Sequence, residues 1–433
     1  MIGGLTKTTS SLAVAAVLAA FASHGAMAAD LGGNCCSDLE ERVAELEATT
    51  ARKGNRRVSL EVSGHVNEAI VFWDVDSNYD DAFDESNVYI GTHNSSRSRF
   101  RFKGSAKIDA DWSAGFLMEF GVRANHLGSN TQYNPYNVSG LDIRHEALYL
   151  KSNRMGTVWL GWTSSATDGI TEICLGCGLG QGPDYSDDMG NLHTGFQAFD
   201  LYGGGQGAFV GEGDRREVVR YISPEMRGFV FSAAYGQDDF YDVALRYANE
   251  WNGVRVAAGV GYQHDTTGSN APGTPGFISS SACGTYNTPW VFGGSNASDA
   301  ECEQLGASIS AQHVPSGIYG AAAYGHAWDN LVDNRLGAGF GNEVKAWSFT
   351  GGVNRKFSPI GATNIWGMYT YSEDDVGFAA GNENLTIYGV GVDQKIDAAA
   401  MTLYFWWKRM EAEYIGFDDG TSDQFVLGSI IRF

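Results

Sequence analysis

The chain is short of cations, of proline and of long apolar runs, and each shortage removes a class of protein. Lys and Arg number 29 against 51 Asp and Glu in 433 residues, a formal net charge of −22. With no basic arm or cluster to offset that, a phosphate backbone is repelled, and no nucleic-acid partner is expected. No stretch approaches the ~18 uninterrupted apolar residues of a membrane-crossing helix. Yet 43% hydrophobic residues exclude a disordered chain. The 9 His fall in no recognisable ligand or catalytic pattern, and no G-x-S-x-G stands on a strand-turn-helix, so neither enzyme, metal nor cofactor is expected. All 8 prolines lie in connecting segments, where a missing ladder donor costs nothing. Glycine, at 57 residues, and aromatics, at 12%, are what the chain has in abundance.

Residues 1–28 have the make-up of an export signal. Lys7 precedes an apolar run from Leu12 to Phe21, and Ala26-Met27-Ala28 supplies a small-residue cleavage site. Residues 29–55 then form a periplasmic leader. Ser37-Asp38-Leu39-Glu40 is a capping box, and Leu39, Val43 and Leu46 recur at helical spacing along one seam. Two readings stay open for this short helix: a frayed leader, or a small coiled coil between copies of the chain.

From residue 56 to 433 the governing signal is period two. Val62 and Val66, Phe100 and Phe102, Phe116 and Met118, and Val390 and Val392 each alternate with polar residues or glycine. Sixteen such segments begin near residues 57, 97, 113, 142, 156, 216, 228, 240, 254, 304, 318, 345, 362, 385, 400 and 424. Tight and long connections alternate between them. The apolar faces of sixteen strands would make an improbably large soluble core, whereas in a lipid bilayer they meet hydrocarbon and the polar faces line water. An open edge there leaves unpaired amides costing several kcal/mol each, so the sheet must close. The expected fold is all-β: a transmembrane antiparallel 16-stranded β-barrel preceded by the short coiled-coil-like helix. Phe72-Trp73, Trp159 and Trp162, Tyr369 and Tyr371, and Tyr404 to Trp407 fit interfacial aromatic girdles, although core packing could use the same residues.

Six cysteines suit an oxidising compartment. Cys174-Leu-Gly-Cys177 has no second CxxC to complete a zinc site and no thioredoxin-like surroundings, so a Cys174–Cys177 disulfide is expected, and a Cys283–Cys302 disulfide similarly. For Cys35 and Cys36, free thiols and bridges to a partner chain both stay open.

Three features together resemble the general porins of Gram-negative bacteria: the cleaved signal, the alternating last strand ending in Phe433, and RYISPEMRGF at 220–229 after a long loop. SLEVSGHVNEAIVFW at 59–73, SRSRFRFKGSAK at 96–107 and the helical leader are similar to the alphaproteobacterial branch in particular. The resemblance implies an outer-membrane channel for passive diffusion of ions and small hydrophilic solutes, assembled as a homotrimer. It also implies contact with outer-membrane lipid and lipopolysaccharide, and insertion by assembly machinery that reads Phe433. The long connection at 163–215 then bends inward as a constriction loop, carrying Glu172, Asp184, Asp187 and Asp188, unless these acids are only solvated surface charges. Arg97, Arg99, Arg101 and Lys103, with Arg123 and Arg220, face it from the wall, and the two rows set up a transverse field. The mature start Ala29-Asp30 resembles barrels attached to peptidoglycan. A substrate-specific channel, for a sugar or an anion, is the alternative, and a barrel enzyme a more distant one.

Overall fold

A computed structural model of the chain describes residues 57–77, 84–93, 95–130, 134–136, 140–183, 210–237, 239–266, 302–329, 343–374, 383–413 and 420–433. The export signal, the leader helix, Ala29, Asp30, Cys35 and Cys36 lie outside these residues, as do Asp184, Asp187, Asp188 and Cys283. Among the described residues the chain is nearly all strand, with two 3-10 turns and no α-helix.

The strands are β1 (Ser59–Ser77), β2 (Glu85–Thr92), β3 (Arg99–Lys107), β4 (Trp112–Arg123), β5 (Gly140–Ser152), β6 (Gly156–Ser164), β7 (Arg215–Ile222), β8 (Phe229–Gly236), β9 (Tyr241–Trp251), β10 (Val254–Asp265), β11 (Cys302–His313), β12 (Ile318–Asp329), β13 (Glu343–Ser358), β14 (Gly361–Asp374), β15 (Glu383–Ile396), β16 (Met401–Glu413) and β17 (Gly420–Arg432). β1 pairs antiparallel with both β2 and β3, each strand from β3 on pairs antiparallel with its successor, and β17 pairs with β1, which closes the sheet and leaves no edge to be solvated.

These seventeen segments make sixteen staves, because β2 and β3 share one. The long β1 pairs with β3 over Ser59–His65 and with β2 over Glu68–Val75. Between the two the ladder is interrupted and side chains patch it. The Asn67 amide donates to the Ser95 carbonyl at 2.6 Å, and Ser98 Oγ accepts from the Asn67 backbone amide at 2.9 Å. The sixteen expected segments fall on the other sixteen strands; β2 is the addition.

Short turns gather at one end, at 108–111, 153–155, 252–253, 314–317 and 359–360. The strand ends joined by the longer connections 124–139, 165–214, 266–301 and 330–342 lie at the other. Outward positions such as Leu148, Leu160, Ile309, Phe349, Val390, Phe425 and Ile431 are exposed apolar side chains. An apolar belt this extensive is tolerable only against hydrocarbon or another apolar surface. Phe433 ends the chain on the same outward face, and its backbone exchanges two hydrogen bonds with Gly64, at 2.9 and 3.0 Å.

For part of these aromatics it is core packing, not the girdle, that the structure shows. Trp73, Tyr404 and Trp406 point inward and are at most 2% exposed. With Tyr89, Trp366, Met368 and Val426 they form a dry cluster inside the barrel, against which Leu127 and Leu179 pack. Trp159 also faces inward, sharing a row with Tyr149 and Arg220. Trp162, Tyr369 and Phe405 stay on the outer face. Alternation records which residues share a face, but an apolar row facing a dry inner cluster reads the same as one facing lipid.

Candidate functional site

The long connection after β6 runs along the inner wall as a strap, described over 165–183 and 210–214. Its polar backbone has left the strand ladder and needs partners. Asp242 on β9 supplies the first, accepting from Ala166 N at 3.0 Å, Thr167 N at 2.7 Å and Thr167 Oγ1 at 2.7 Å. Glu212, on the returning limb, accepts from Thr171 N at 2.9 Å and Thr171 Oγ1 at 2.6 Å. Further on, Ser308 and Ser310 of β11 accept from Ile173 N and Leu175 N, and Asn354 of β13 donates to Gly176 O at 2.9 Å. The Gln181 amide closes the run among Tyr319, Asn364 and Asp393.

Apolar contacts follow the same course. The wall is bare where Ile170 seats: a Cβ at Gly259 would lie 2.6 Å from both Ile170 Cδ1 and Ile173 Cδ1, and one at Gly306 2.0 Å from Gly211 O. Glycine at these strand positions is what lets the strap lie flat on β10 and β11. A Cys174–Cys177 disulfide, with Cα atoms 5.6 Å apart, tightens the turn between the β11 and β13 contacts. Cys302 is disulfide-bonded as well. Glu172 lines a cavity of about 190 Å³ with Thr171, Cys174, Gln181, Ser348 and Thr350.

The strap's tethers run from β7 to β15, its Leu179 packs on the inner aromatic cluster, and the arginines cluster on a different sector, β3 to β5. Glu119 on β4 is their centre, with a side chain 0% exposed. Arg101 Nε donates to it at 2.6 Å, Arg144 Nε at 2.8 Å and Arg99 Nη1 at 3.3 Å. Arg99 and Arg101 arrive from β3 by strand pairing, since Arg101 sits opposite Glu119. Arg144 arrives through a bulge: the β4–β5 register slips between Glu119 and Phe120, and the extra residue on β5 turns inward. A second acid, Asp142, pairs with Arg97 at 2.7 Å and Arg123 at 3.5 Å. Five guanidiniums against two carboxylates leave this wall with a surplus of three positive charges. His126, in the loop after β4, adds none at neutral pH, because burial, then Arg123 and Arg97, push it down to about 3.

The other expected cations sit elsewhere. Lys103 lines an opening of about 660 Å³ at the short-turn end, with Glu61, Lys107, Asp109, Asp111 and Lys151. Arg220 donates to Ser165 O at 3.2 Å and lies over the Trp159 ring, so it braces the root of the strap. Arg246, unforeseen from sequence, does likewise, donating to Ala166 O and Asp168 O at 2.8 Å each. Glu119, Asp142 and Arg144 were also missed as site residues. The alternation placed Glu119 on the polar face, but its role appears only once the β3–β4 register is known.

A closed sixteen-stave barrel with an inward strap and a charged inner wall is the architecture of a pore, and the sequence assigns it. The family model for Gram-negative porins matches residues 13–428. The chain belongs to the Gram-negative porin family. As a porin it is an outer-membrane channel for diffusion. Solved structures similar to this porin in fold include the anion-selective porin from Comamonas acidovorans, 16% identical over 87% of this chain and 100% of that one, with a TM-score of 0.56. They also include Pseudomonas putida OprB, 10% identical over 92% and 97% of the two chains, TM-score 0.55. Vibrio cholerae OmpT in a trimer form is 14% identical over 87% and 99%, TM-score 0.50. No curated protein sequence matches the porin.

Proposed function

We propose that this porin passes ions and small hydrophilic solutes through an aperture between the arginine wall of β3 to β5 and the strap. The observation that carries this is the division of the lumen: the strap's tethers run from β7 to β15, and Arg97, Arg99, Arg101, Arg123 and Arg144 stand on the β3–β5 sector, which takes none of those tethers. Glu172, and with it Asp184, Asp187 and Asp188 further along the connection, supply the opposing charge. A field across the aperture orients dipolar solutes and sorts ions by sign.

A general rather than a substrate-specific pore is favoured by the burial of Tyr404, Trp406 and Trp73 beneath Leu179. Their rings are packed into the dry cluster, not laid out along the water path. The porin is a channel rather than a hydrolase, and purified protein is expected to show no hydrolytic activity.

In the same proposal the chain is exported by residues 1–28, assembles as a homotrimer in outer-membrane lipid and lipopolysaccharide, and is recognised by the assembly machinery through Phe433. Ala29-Asp30 is the point of attachment to peptidoglycan. Planar-bilayer recordings in a salt gradient test the aperture: Arg99→Gln and Arg101→Gln each lower anion relative to cation permeability. Unchanged zero-current potentials in both variants overturn it, as does solute block by one sugar alone for the general-pore reading.

A further inference from the structure

We infer that Glu119 is a selectivity-determining residue of this channel, although no permeating solute touches it. The inference rests on the reading that solutes pass along the arginine wall. Its warrant is the inverted placement of the charges: the carboxylate is fully buried in the wall, while the Arg101 side chain in front of it is 43% exposed. Arg99 and Arg144 flank it at 17% and 11% exposure.

A carboxylate without water must be paired, and here three guanidiniums do so at once. Two consequences follow for what a solute meets. Glu119 cancels one of three positive charges, so this half of the wall presents a surplus of two. It also fixes the planes of the guanidiniums from behind, because Nε and Nη2 of Arg101 and Nε of Arg144 are committed to it. The N–H groups of the half-exposed Arg101 that Glu119 does not take remain for carboxylate and phosphate groups. The residue acts through its neighbours: it is a positioning and charge-setting group, and the class of solute it governs is the small organic or inorganic anion.

The size of the effect comes from one unit charge acting over roughly 8 Å of water, with and without screening at ~0.1 M salt. Glu119→Gln, which keeps the shape and removes the charge, is expected to raise anion over cation permeability about two- to six-fold on that basis. The reading is the zero-current potential of the full-length protein in planar bilayers under a KCl gradient. A purely structural role would alter conductance or assembly and leave that potential alone.

Three further variants hold the inference to account. Glu146→Gln removes the same charge from β5 on the outer face, where Glu146 is exposed beside Trp162, and is expected to keep the wild-type ratio. Glu119→Gln combined with Arg144→Gln removes one charge of each sign and is also expected to stay near wild type. Arg144→Gln alone shifts the ratio toward cations. If Glu119→Gln does not assemble, the double variant decides: a ratio as cation-shifted as Arg144→Gln alone shows that Glu119 contributes nothing. A Glu119→Gln ratio equal to wild type, or matched by Glu146→Gln, overturns the inference. Should the arginine variants move the potential and Glu119→Gln not, the aperture reading survives and this one fails; should neither move it, the aperture reading fails first.

Discussion

Removing the Asp242 carboxylate is expected to free the root of the strap while leaving the barrel standing. Asp242 is 0% exposed and accepts three hydrogen bonds from Ala166 and Thr167. In Asp242→Ala two amides and a hydroxyl lose their acceptor. Each unsatisfied buried group costs roughly 1–3 kcal/mol, so with some water entering the closed strap loses about 3–6 kcal/mol. Arg220 and Arg246, which brace the same root, lose a nearby counter-charge as well. At about 1.4 kcal/mol per factor of ten, the detached population rises roughly 10²- to 10⁴-fold. None of the wall's ladder bonds passes through the Asp242 side chain, so the barrel should keep its heat-modifiable migration on gels. Single-channel traces should show larger or flickering conductance, and limited proteolysis of the folded protein should cut within 165–214. Asp242→Asn, which keeps one acceptor oxygen, should fall between. If Asp242→Ala resists protease and conducts as wild type does, the strap is not held at this point and the reasoning fails.

Gly306→Val places a branched side chain where a Cβ would already meet Gly211 O at 2.0 Å and Ile170 Cγ2 at 2.9 Å. It should lift the strap from β11 and alter conductance by more than Gly320→Ala, whose nearest neighbour is 3.9 Å away; equal conductances would discount the bare-wall argument. At the short-turn end, the Trp112 and Asp111 amides donate to Asp109 Oδ1 at 2.8 Å each and hold its carboxyl below the ordinary 3.8. A depressed carboxylate stabilises the fold above its unfolded value and loses that contribution as pH falls through its lowered one. Asp109→Ala should therefore speed amide exchange at Trp112 at neutral pH, with the difference from wild type closing as pH falls through the carboxyl's lowered value; a difference independent of pH would contradict the assignment.

The wall was legible in the sequence because lipid outside and water inside impose period two on each stave. That is why strands beginning at Trp112, Gly156, Val254 and Ile318 lie within a residue or two of where alternation puts them. β2 escaped because Glu85–Thr92 is short and its stave is broken before β3, so no single run announces it. The site was half legible. Period two puts Arg97, Arg99 and Arg101 on one face, but the partner of each depends on register and on a bulge, which local pattern does not encode. Arg220 had the right face and a different task, since the strap whose carbonyl it holds returns from far along the chain. Trp73 and Trp406 misled for the complementary reason: a strap and a loop cover them, and nothing in their own strands says so.

The strap's tethers also set an order of events in biogenesis. Its first anchor, Asp242, is 75 residues downstream of Thr167, and its last, Asp393, is 212 residues beyond Gln181. Contacts so distant along the chain form late, after the loop-closure entropy has been met by the strands themselves. The lumen of the finished channel accordingly takes its shape in the final moments of maturation. A chain stalled before β15 is delivered would possess every arginine of the β3–β5 wall and still lack the last tether of its strap.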